Sequence, residues 1–205
     1  MNYAIAEIFL SFQGEGIHAG RRAYFLRMFG CPVKCPWCDS VFAWNGKPRE
    51  FADEGQLALR AKNSRAEIAV ITGGEPCAQN LIPLVAALKG CGLGVHLETS
   101  GTLEIPEIDG ARFDWVTVSP KLFKRPKKEA LRRADEVKLI VCSVGEICQY
   151  AEIAREAEKA KAYWIIPEYS KSGDKELLEG ICKFVEENGG RFRAGWQIHK
   201  NFNAR

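Results

Sequence analysis

Long apolar runs are missing from this chain of 205 residues. No stretch approaches the roughly 18 consecutive apolar residues that a membrane-spanning helix needs. The N-terminus, MNYAIAEIFLSF, also lacks the basic segment that precedes the apolar part of a secretory signal peptide. We therefore expect a cytoplasmic protein that makes no contact with a membrane.

A strong charge of either sign is also absent, because the net charge is only +3. This excess is too small to indicate a nucleic-acid partner, so direct nucleic-acid binding is not expected. The content of 46% hydrophobic and 27% charged residues is ordinary for a globular protein. The length predicts one domain, residues 1–205.

Cysteine, in contrast, is abundant: the chain has eight, and three lie in CPVKCPWCDS, residues 31–40. Without a secretory signal, this number indicates thiol or metal chemistry in a reducing compartment. Cys31, Cys35 and Cys38 form a CxxxCxxC array with no fourth cysteine nearby. Cubane iron–sulfur clusters commonly use four thiolates. Three would leave one iron open to a small molecule, as catalytic metal sites leave one position open.

Two other interpretations of the array remain open. It could be half of a zinc site, although no second CxxC or HxxxH pair completes one. The thiols could also be small core residues. The other cysteines share no metal-ligand spacing: Cys77, Cys91, Cys142, Cys148 and Cys182.

Strand-like and helix-like segments alternate along the chain. We predict a strand or an extended entry at 3–12, and strands at 23–29, 68–76 (running into Gly-Gly-Glu-Pro), 94–98, 115–119, 136–142, 162–167 and 191–198. Helices are predicted at 54–63, 79–90, 145–161 and 174–188.

This alternation is typical of a parallel sheet covered by helices. Polar motifs (CPVKC, TGGEP, ETSGT and SPK) follow successive strands, at the sheet edge where α/β folds bind their ligands. Six or seven strands are too few for a closed eight-stranded barrel. We therefore predict an α/β fold, a partial, open (β/α) barrel with about six parallel strands.

Two basic features have more than one interpretation. Arg27, on an apolar strand, either points to solvent or clamps a buried anion. The segment KLFKRPKKEALRR, residues 121–133, holds seven basic residues in thirteen. It is either a solvated face, a docking site for an acidic electron-transfer protein, or a nucleic-acid contact.

Several motifs together resemble a known family. CxxxCxxC followed by GGEP is similar to the radical S-adenosylmethionine superfamily. FQGEG (12–16), FLRMFGC (25–31), CPWCDS (35–40), ETSGT, SPK and QIHK (197–200) resemble the 7-carboxy-7-deazaguanine synthases within it. The resemblance covers nearly the whole chain, and FQGEG with QIHK is its most specific part.

The resemblance implies a carbon–nitrogen lyase of 7-deazapurine biosynthesis, which supplies queuosine and archaeosine. It would contract 6-carboxy-5,6,7,8-tetrahydropterin to 7-carboxy-7-deazaguanine and release ammonia. A 4Fe–4S cluster would cleave S-adenosylmethionine reductively, and the 5′-deoxyadenosyl radical would take hydrogen from C6 of the pterin. S-Adenosylmethionine would then be regenerated. The resemblance also implies a homodimer and a flavodoxin or ferredoxin as reductant.

The same resemblance implies residue roles. The cluster ligands would be Cys31, Cys35 and Cys38. The contacts to S-adenosylmethionine would be Trp37, Asp39, Gly74, Glu75, Ser100, Ser119, Pro120, Lys121, Ile166 and Pro167. The contacts to the pterin would be Phe12, Gln13, Gly14, Glu15, Arg27, Thr72, His199 and Arg205.

A magnesium ion is implied beside the substrate carboxylate, held by Ser40 where threonine is usual. A serine hydroxyl is an equally hard oxygen ligand, although threonine is stiffer at χ1. Ser100 also departs from the pattern, since asparagine is common at its position.

Two alternative functions remain from the sequence. A glycyl-radical activase is also short and carries CxxxCxxC, but it would have no use for FQGEG and QIHK. A non-enzymatic cysteine-rich metal-binding module is the other.

Overall fold

A sheet of nine strands forms the frame of the protein in a computed structural model that describes residues 1–204. The strands are β1 (Asn2–Phe12), β2 (Arg22–Met28), β3 (Glu50–Asp53), β4 (Ile68–Gly73), β5 (Gly94–Thr99), β6 (Trp115–Val118), β7 (Glu136–Val141), β8 (Ala162–Pro167) and β9 (Phe192–Ala194). The helices are α1 (Glu54–Asn63), α2 (Ile82–Gly90), α3 (Lys128–Arg133), α4 (Val144–Arg155), α5 (Lys175–Asn188) and α6 (Ile198–Asn201). Short 3₁₀ turns cover Val41–Ala43, Pro76–Ala78 and Tyr169–Lys171.

The strand order is β3-β1-β2-β4-β5-β6-β7-β8-β9, and hydrogen bonds do not join the two edges within residues 1–204. In this spatial order, every neighbouring pair from β2 to β9 is parallel. Strand β1 is antiparallel to both of its neighbours, β2 and β3. The predicted α/β class and open, mostly parallel sheet are confirmed.

Several boundaries differ from the predicted ones. Strand β3 was not predicted, because four residues paired only with the chain terminus carry little sequence signal. Helix α4 ends at Arg155, not at 161, since the Arg191 guanidinium and the Tyr163 hydroxyl bind backbone carbonyls of residues 157–160. Strand β9 stops at Ala194, and the chain then turns into α6.

The first residues of two helices are explained by the local sequence. Helix α2 starts at Ile82, three residues later than predicted, because residues 76–78 form a 3₁₀ turn and Pro83 suits only a first helical turn. Helix α1 begins where expected because Asp53 and Gln56 form a reciprocal capping box. Such a cap stabilises a helix by about 1 kcal/mol.

Side chains alternate between two faces of the sheet, as the two-residue period of a strand requires. On β7, Val137, Leu139 and Val141 pack into the main hydrophobic cluster with residues of the helices. Glu136 and Lys138, at the alternating positions, are also buried. The sheet therefore has an apolar face under the helices and a second, polar face, where a ligand can bind.

Two glycines bring the end of β4 against the cysteine segment. Gly73 has a φ of 140°, and a Cβ there would overlap the backbone of Met28. A Cβ on Gly74 would overlap the carbonyl of Gly30 and the Cβ of Cys31. The amide of Glu75 then donates to the carbonyl of Gly30 at 2.8 Å. Only glycine permits this close approach, which fixes the position of Cys31 relative to the end of β4.

No helix within residues 1–204 is both long and apolar enough to cross a membrane.

Candidate active site

A cavity of about 270 Å³ opens at the carboxyl ends of the parallel strands. This is the edge at which the sequence placed the polar motifs, and its size is close to that of small-molecule sites. Most of the predicted site residues line it: Phe12, Gln13, Gly14, Glu15, Arg27, Cys31, Cys35, Trp37, Cys38, Asp39, Ser40, Thr72, Gly74, Ser100, Ser119, Lys121 and His199.

Four predicted residues of the described part of the chain do not line this cavity, and a fifth cannot be placed. Ile166 is fully buried and Pro120 and Pro167 are buried as well. Glu75 is fully buried beneath the cavity wall, and Arg205 lies outside the described residues. A ligand role for these five stays a prediction.

Glu75 connects two strand ends. Its carboxylate accepts hydrogen bonds from the Thr99 hydroxyl at 2.7 Å, from the Ser100 amide at 2.9 Å and from the Ser100 hydroxyl. It also accepts from the amide of Cys77 at 3.2 Å. The glutamate of GGEP thus holds Ser100 at the cavity wall, and its contact with any ligand would be indirect.

The three thiols of the CxxxCxxC array border the cavity and are free, partly exposed cysteines. The Trp44 indole donates to the sulfur of Cys38 at 3.4 Å. Among residues 1–204, no three His, Cys, Asp or Glu side chains surround a point that could hold one metal ion. Thiolates that bind three different irons of a cubane need not meet at one metal ion. The donor set therefore fits a 4Fe–4S cluster.

Arg27 reaches the cavity from β2. Its Nε donates to the Glu7 carboxylate at 2.7 Å, and its guanidinium lies 5.9 Å from the Phe9 ring centre. Its terminal nitrogens donate to no residue in the range 1–204, so they are available to an anion in the cavity. Guanidinium is well suited to bind a carboxylate in a bidentate manner.

A buried polar network forms one wall of the cavity, with the Lys138 ammonium at its centre. Lys138 donates to the Glu15 carboxylate at 2.5 Å and to the Glu98 carboxylate at 3.1 Å. Gln13 and Thr72 donate to Glu98 at 3.1 and 3.0 Å. A loop and two strands thus bring together Glu15, Glu98 and Lys138, respectively.

Burial and charge act in opposite directions on these groups. Burial alone would lower the pKa of Lys138, but the adjacent Glu15 and Glu98 outweigh it and raise that pKa. Burial alone would raise the pKa of Glu98, but Lys138 and two hydrogen-bond donors outweigh it and lower that pKa. Lys138 and Glu98 are therefore both charged at neutral pH.

The QIHK motif lies directly over the FQGEG motif. The Gln197 amide donates to Glu15 at 2.5 Å, and the Ile198 amide donates to the Gly14 carbonyl at 3.0 Å. The His199 ring packs so closely on Gly14 that a Cβ there would overlap it. Burial lowers the pKa of His199, which favours a neutral imidazole. Two motifs more than 180 residues apart thus form one corner of the cavity.

The cysteine segment is also tied to the C-terminal helix. Lys200 donates to the Asp39 carboxylate at 3.1 Å, and its ammonium lies 4.4 Å from the Tyr169 ring centre. Ser40, only 7% exposed, donates to Asp39 at 3.0 Å. Lys121 folds back onto Ser119, with its ammonium 2.8 Å from the Ser119 hydroxyl.

Sequence reasoning missed several cavity residues: Glu98, Thr117, Lys138, Ile140, Glu168, Tyr169, Gln197 and Lys200. A usable signal was present for two of them. Glu98 in GVHLET and Lys138 in EVKLIV are charged residues at alternating positions of otherwise apolar strands. Such residues face either solvent or a site, and in a strand covered by helices only the site remains.

The chain is similar to known proteins over most of its length. Residues 26–150 match the model of the Radical SAM superfamily. A 7-carboxy-7-deazaguanine synthase of Synechocystis is 36% identical over 208 residues, which cover 100% of this chain and 95% of the relative. One from Escherichia coli K12 is 39% identical, with 99% of each chain covered.

Solved structures agree. A crystal structure of QueE from Escherichia coli has a TM-score of 0.79 and 31% sequence identity, covering 97% of this chain and 95% of that one. A structure of Streptococcus suis SuiB bound to S-adenosylmethionine has a TM-score of 0.54 at 16% identity, covering 83% of this chain and 45% of that one, a likeness in fold alone.

Replacing Lys138 by Met is expected to lower the free energy of unfolding by about 3–5 kcal/mol at neutral pH, because it leaves two buried carboxylates unpaired. The stabilisation from Glu98, whose folded pKa is lowered, is present above its unfolded pKa of about 4.3 and lost as pH falls below it. The stabilisation from Lys138, whose folded pKa is raised, is present below about pH 10.4. It is lost as pH rises through the folded pKa. The deficit of Lys138→Met should therefore shrink towards about pH 4.5, where unpaired carboxylates take up protons.

Urea unfolding followed by circular dichroism at both pH values measures this. Lys183→Met, at a lysine whose side chain is 77% exposed, is the matched control. If Lys138→Met lowered the free energy of unfolding equally at both pH values, the cause would be lost packing and not lost charge pairing.

Proposed function

The chain belongs to the Radical SAM superfamily and, within it, to the 7-carboxy-7-deazaguanine synthases, and from this we propose that it contracts 6-carboxy-5,6,7,8-tetrahydropterin to 7-carboxy-7-deazaguanine with release of ammonia. This is a step of 7-deazapurine biosynthesis. Substrate and product differ by one ammonia, so the reaction is redox-neutral overall. An electron and S-adenosylmethionine then need only start each turnover and can be recovered at its end.

The observation that carries the proposal is the meeting of FQGEG and QIHK over a cavity bordered by three free thiols. When bound there, a 4Fe–4S cluster with S-adenosylmethionine supplies a carbon radical that abstracts hydrogen. Cys31, Cys35 and Cys38 would hold the cluster, and the strand ends at Ser100 and Ser119 would contact S-adenosylmethionine.

The remaining wall suits a pterin carboxylate. Arg27 offers free guanidinium donors for the carboxylate group. The carboxylates of Glu98 and Glu15 offer acceptors for the N–H groups of the pterin ring edge, and Gln13 beside them offers a further amide. These residues bind and orient the ring, while the C-terminal segment keeps water from the reacting carbon.

A glycyl-radical activase is not favoured. Its substrate is a loop of a folded protein, which must enter the site as extended backbone. Here Gln197 and Lys200 hold the C-terminal segment at the cavity through Glu15 and Asp39. A cavity of about 270 Å³ with this added wall suits a small molecule better than extended polypeptide.

We further propose that Mg²⁺ binds at Ser40 beside the substrate carboxylate. The Ser40 hydroxyl and the adjacent Asp39 carboxylate supply hard oxygen donors at the cavity wall. The same family resemblance suggests a cytoplasmic homodimer with a flavodoxin or ferredoxin as its reductant. Light scattering after size exclusion would test the dimer, and a monomer at micromolar concentration would contradict it.

The activity is tested by anaerobic reconstitution with iron and sulfide, followed by incubation with S-adenosylmethionine, reductant, Mg²⁺ and the carboxypterin. We expect a brown protein that bleaches in air, a product lighter by one ammonia, and S-adenosylmethionine left intact after many turnovers. A colourless zinc protein, or a brown protein that leaves the pterin untouched, would contradict the proposal.

Replacing Arg27 by Gln is expected to raise the KM for the carboxypterin at least about tenfold, a loss of about 1.4 kcal/mol of binding. The visible spectrum of the cluster should not change, since within residues 1–204 Arg27 forms no hydrogen bond to a thiol. Arg22→Gln, at an exposed arginine of the same strand, is the control and should leave KM unchanged. An unchanged KM in Arg27→Gln would remove Arg27 from the substrate site.

Replacing Ser40 by Ala is expected to weaken the response of the rate to Mg²⁺, because one oxygen ligand is lost. Ser40→Thr keeps the hydroxyl with a stiffer rotamer and should retain or strengthen it. The measurement is the Mg²⁺ concentration at half-maximal rate. Wild-type dependence in Ser40→Ala would mean that the ion is held by other groups.

A further inference from the structure

The loop of residues 13–21 connects β1 to β2 at the end of the sheet opposite to the cysteine segment. Phe12 and Arg22, which flank this β1–β2 loop, pair with each other, and Arg22 is the first residue of β2. The cysteine segment instead follows the carboxyl end of β2. Gln13 and Glu15 of the loop nevertheless line the cavity. The β1–β2 loop therefore reaches the cavity from the amino ends of the parallel strands.

A buried carboxylate contacts the backbone of this loop directly after Glu15. Glu136, the first residue of β7, is only 3% exposed and accepts a hydrogen bond from the Ile17 amide at 2.9 Å. Gly16, which has a φ of 74°, lies so close to the same carboxylate that a Cβ there would overlap it. The contact between loop and carboxylate therefore requires the second glycine of QGEG.

Two further donors fix the Glu136 carboxylate itself. The Thr117 hydroxyl on β6 and the Trp164 indole on β8 each donate to it at 2.9 Å. Within residues 1–204 no cation forms an ion pair with Glu136, so its charge is held in a buried site by these two donors and the loop amide. Three adjacent strands thus fix the point to which the loop is bound.

The bound backbone lies next to the side chains that line the cavity. Glu15 directly precedes Gly16, and the Glu15 amide donates to the side-chain oxygen of Gln13 at 3.3 Å. The side-chain nitrogen of Gln13 in turn donates to Glu98 at 3.1 Å. A displacement of the backbone at Gly16 would therefore move both Gln13 and Glu15 relative to a bound ligand.

We propose that Glu136 is a positioning residue of the substrate site, which holds the β1–β2 loop so that Gln13 and Glu15 meet the edge of the pterin ring. This rests on the proposed function. Glu136 itself does not line the cavity, so it acts through the loop. Loss of Glu136 should weaken binding of the pterin and leave the cluster and S-adenosylmethionine, which would bind at the opposite end of the sheet, unaffected.

Other parts of the β1–β2 loop are held independently of Glu136. The Gln13 amide donates to the Arg21 carbonyl at 2.8 Å and closes the base of the loop. The His18 ring packs against the rings of His96 and Trp115, with centres 4.6 and 4.5 Å apart. Removal of Glu136 should therefore displace the middle of the loop without unfolding the whole of it.

The test compares Glu136→Ala, Glu136→Gln and Asp135→Ala in the reconstituted holoenzyme. Glutamine keeps an oxygen that can accept from the Ile17 amide, whereas alanine removes the acceptor. Asp135 is the matched control, because its carboxylate also accepts from a backbone amide, that of Val116 at 2.8 Å, but forms no hydrogen bond with the described loop. Both alanine variants should lose stability, since each leaves buried donors without a partner.

In Glu136→Ala we expect the KM for the carboxypterin to rise at least about fivefold, a larger change than that in kcat. The Kd of S-adenosylmethionine, from calorimetric titration, and the visible spectrum of the cluster should not change. Glu136→Gln should keep KM within about twofold of the wild type, and Asp135→Ala should leave it unchanged. Gly16→Ala, whose added methyl group overlaps the Glu136 carboxylate, is a second way to displace the loop and should also raise KM.

Hydrogen exchange read by mass spectrometry tests the loop without any substrate. The peptide that contains Ile17 should exchange at least about tenfold faster in Glu136→Ala than in the wild type or in Asp135→Ala, because the Ile17 amide loses its acceptor.

An unchanged KM in both Glu136→Ala and Gly16→Ala would overturn the proposal. An equal rise of KM in Asp135→Ala would do so too, because general loss of stability would then explain the effect. A loss in Glu136→Gln as large as that in Glu136→Ala would also contradict it, since the charge and not the hydrogen bond to the loop would then matter.

Failure of the proposed function is separable. If the wild-type holoenzyme leaves the carboxypterin untouched, the synthase proposal fails, and the exchange at Ile17 still decides whether Glu136 holds the loop. If the wild type forms the product but exchange at Ile17 is the same in Glu136→Ala, the positioning role alone is overturned.

Discussion

The ammonium of Lys138 is the interaction on which the polar face of the sheet depends. It lies between the buried carboxylates of Glu15 and Glu98, and its charge keeps the pKa of Glu98 low despite burial. Through Glu15 it connects to Gln197 and the C-terminal segment. One buried cation thus joins the loop after β1, strand β5, strand β7 and the end of the chain around one cavity wall. The two carboxylates of this trio are acceptors, which suits a ring edge rich in N–H donors.

A steric constraint acts at the opposite wall. Gly73 and Gly74 let β4 approach the backbone that enters the cysteine segment, and Glu75 then fixes the end of β5 through Ser100. The thiols and the next strand end therefore have a set separation before any ligand binds. GGEP thus fixes the distance between the cysteine segment and the end of β5 in this chain. Its glutamate forms its hydrogen bonds with other residues of the protein.

The sequence predicts those parts of the molecule in which the local residue pattern agrees with the position of the segment in the fold. Apolar strands ending in polar motifs predicted the parallel sheet and the edge that carries the cavity. Lys138 was not predicted as a site residue, because its charge in an apolar strand becomes a signal only once the strand is taken as covered by helices. The end of α4 was missed because the carbonyls just after the helix, such as that of Glu158, bind Arg191, which lies some 30 residues later in the sequence. The adjacency of Gln197 and Glu15 likewise depends on the path of the whole chain.

The proposed chemistry places opposite demands on the cysteine segment. A radical must be shielded from water, whereas an electron must enter from outside the protein. The segment lies between the cavity and the protein surface: its thiols and Trp37 border the cavity, and the Trp37 ring also meets that of the exposed Phe123. Lys200 holds one end of the segment by pairing with Asp39, while Lys124 holds the other end at the Pro32 carbonyl. With both ends held, the thiols keep their place at the cavity while Phe123 leaves the segment accessible from the surface.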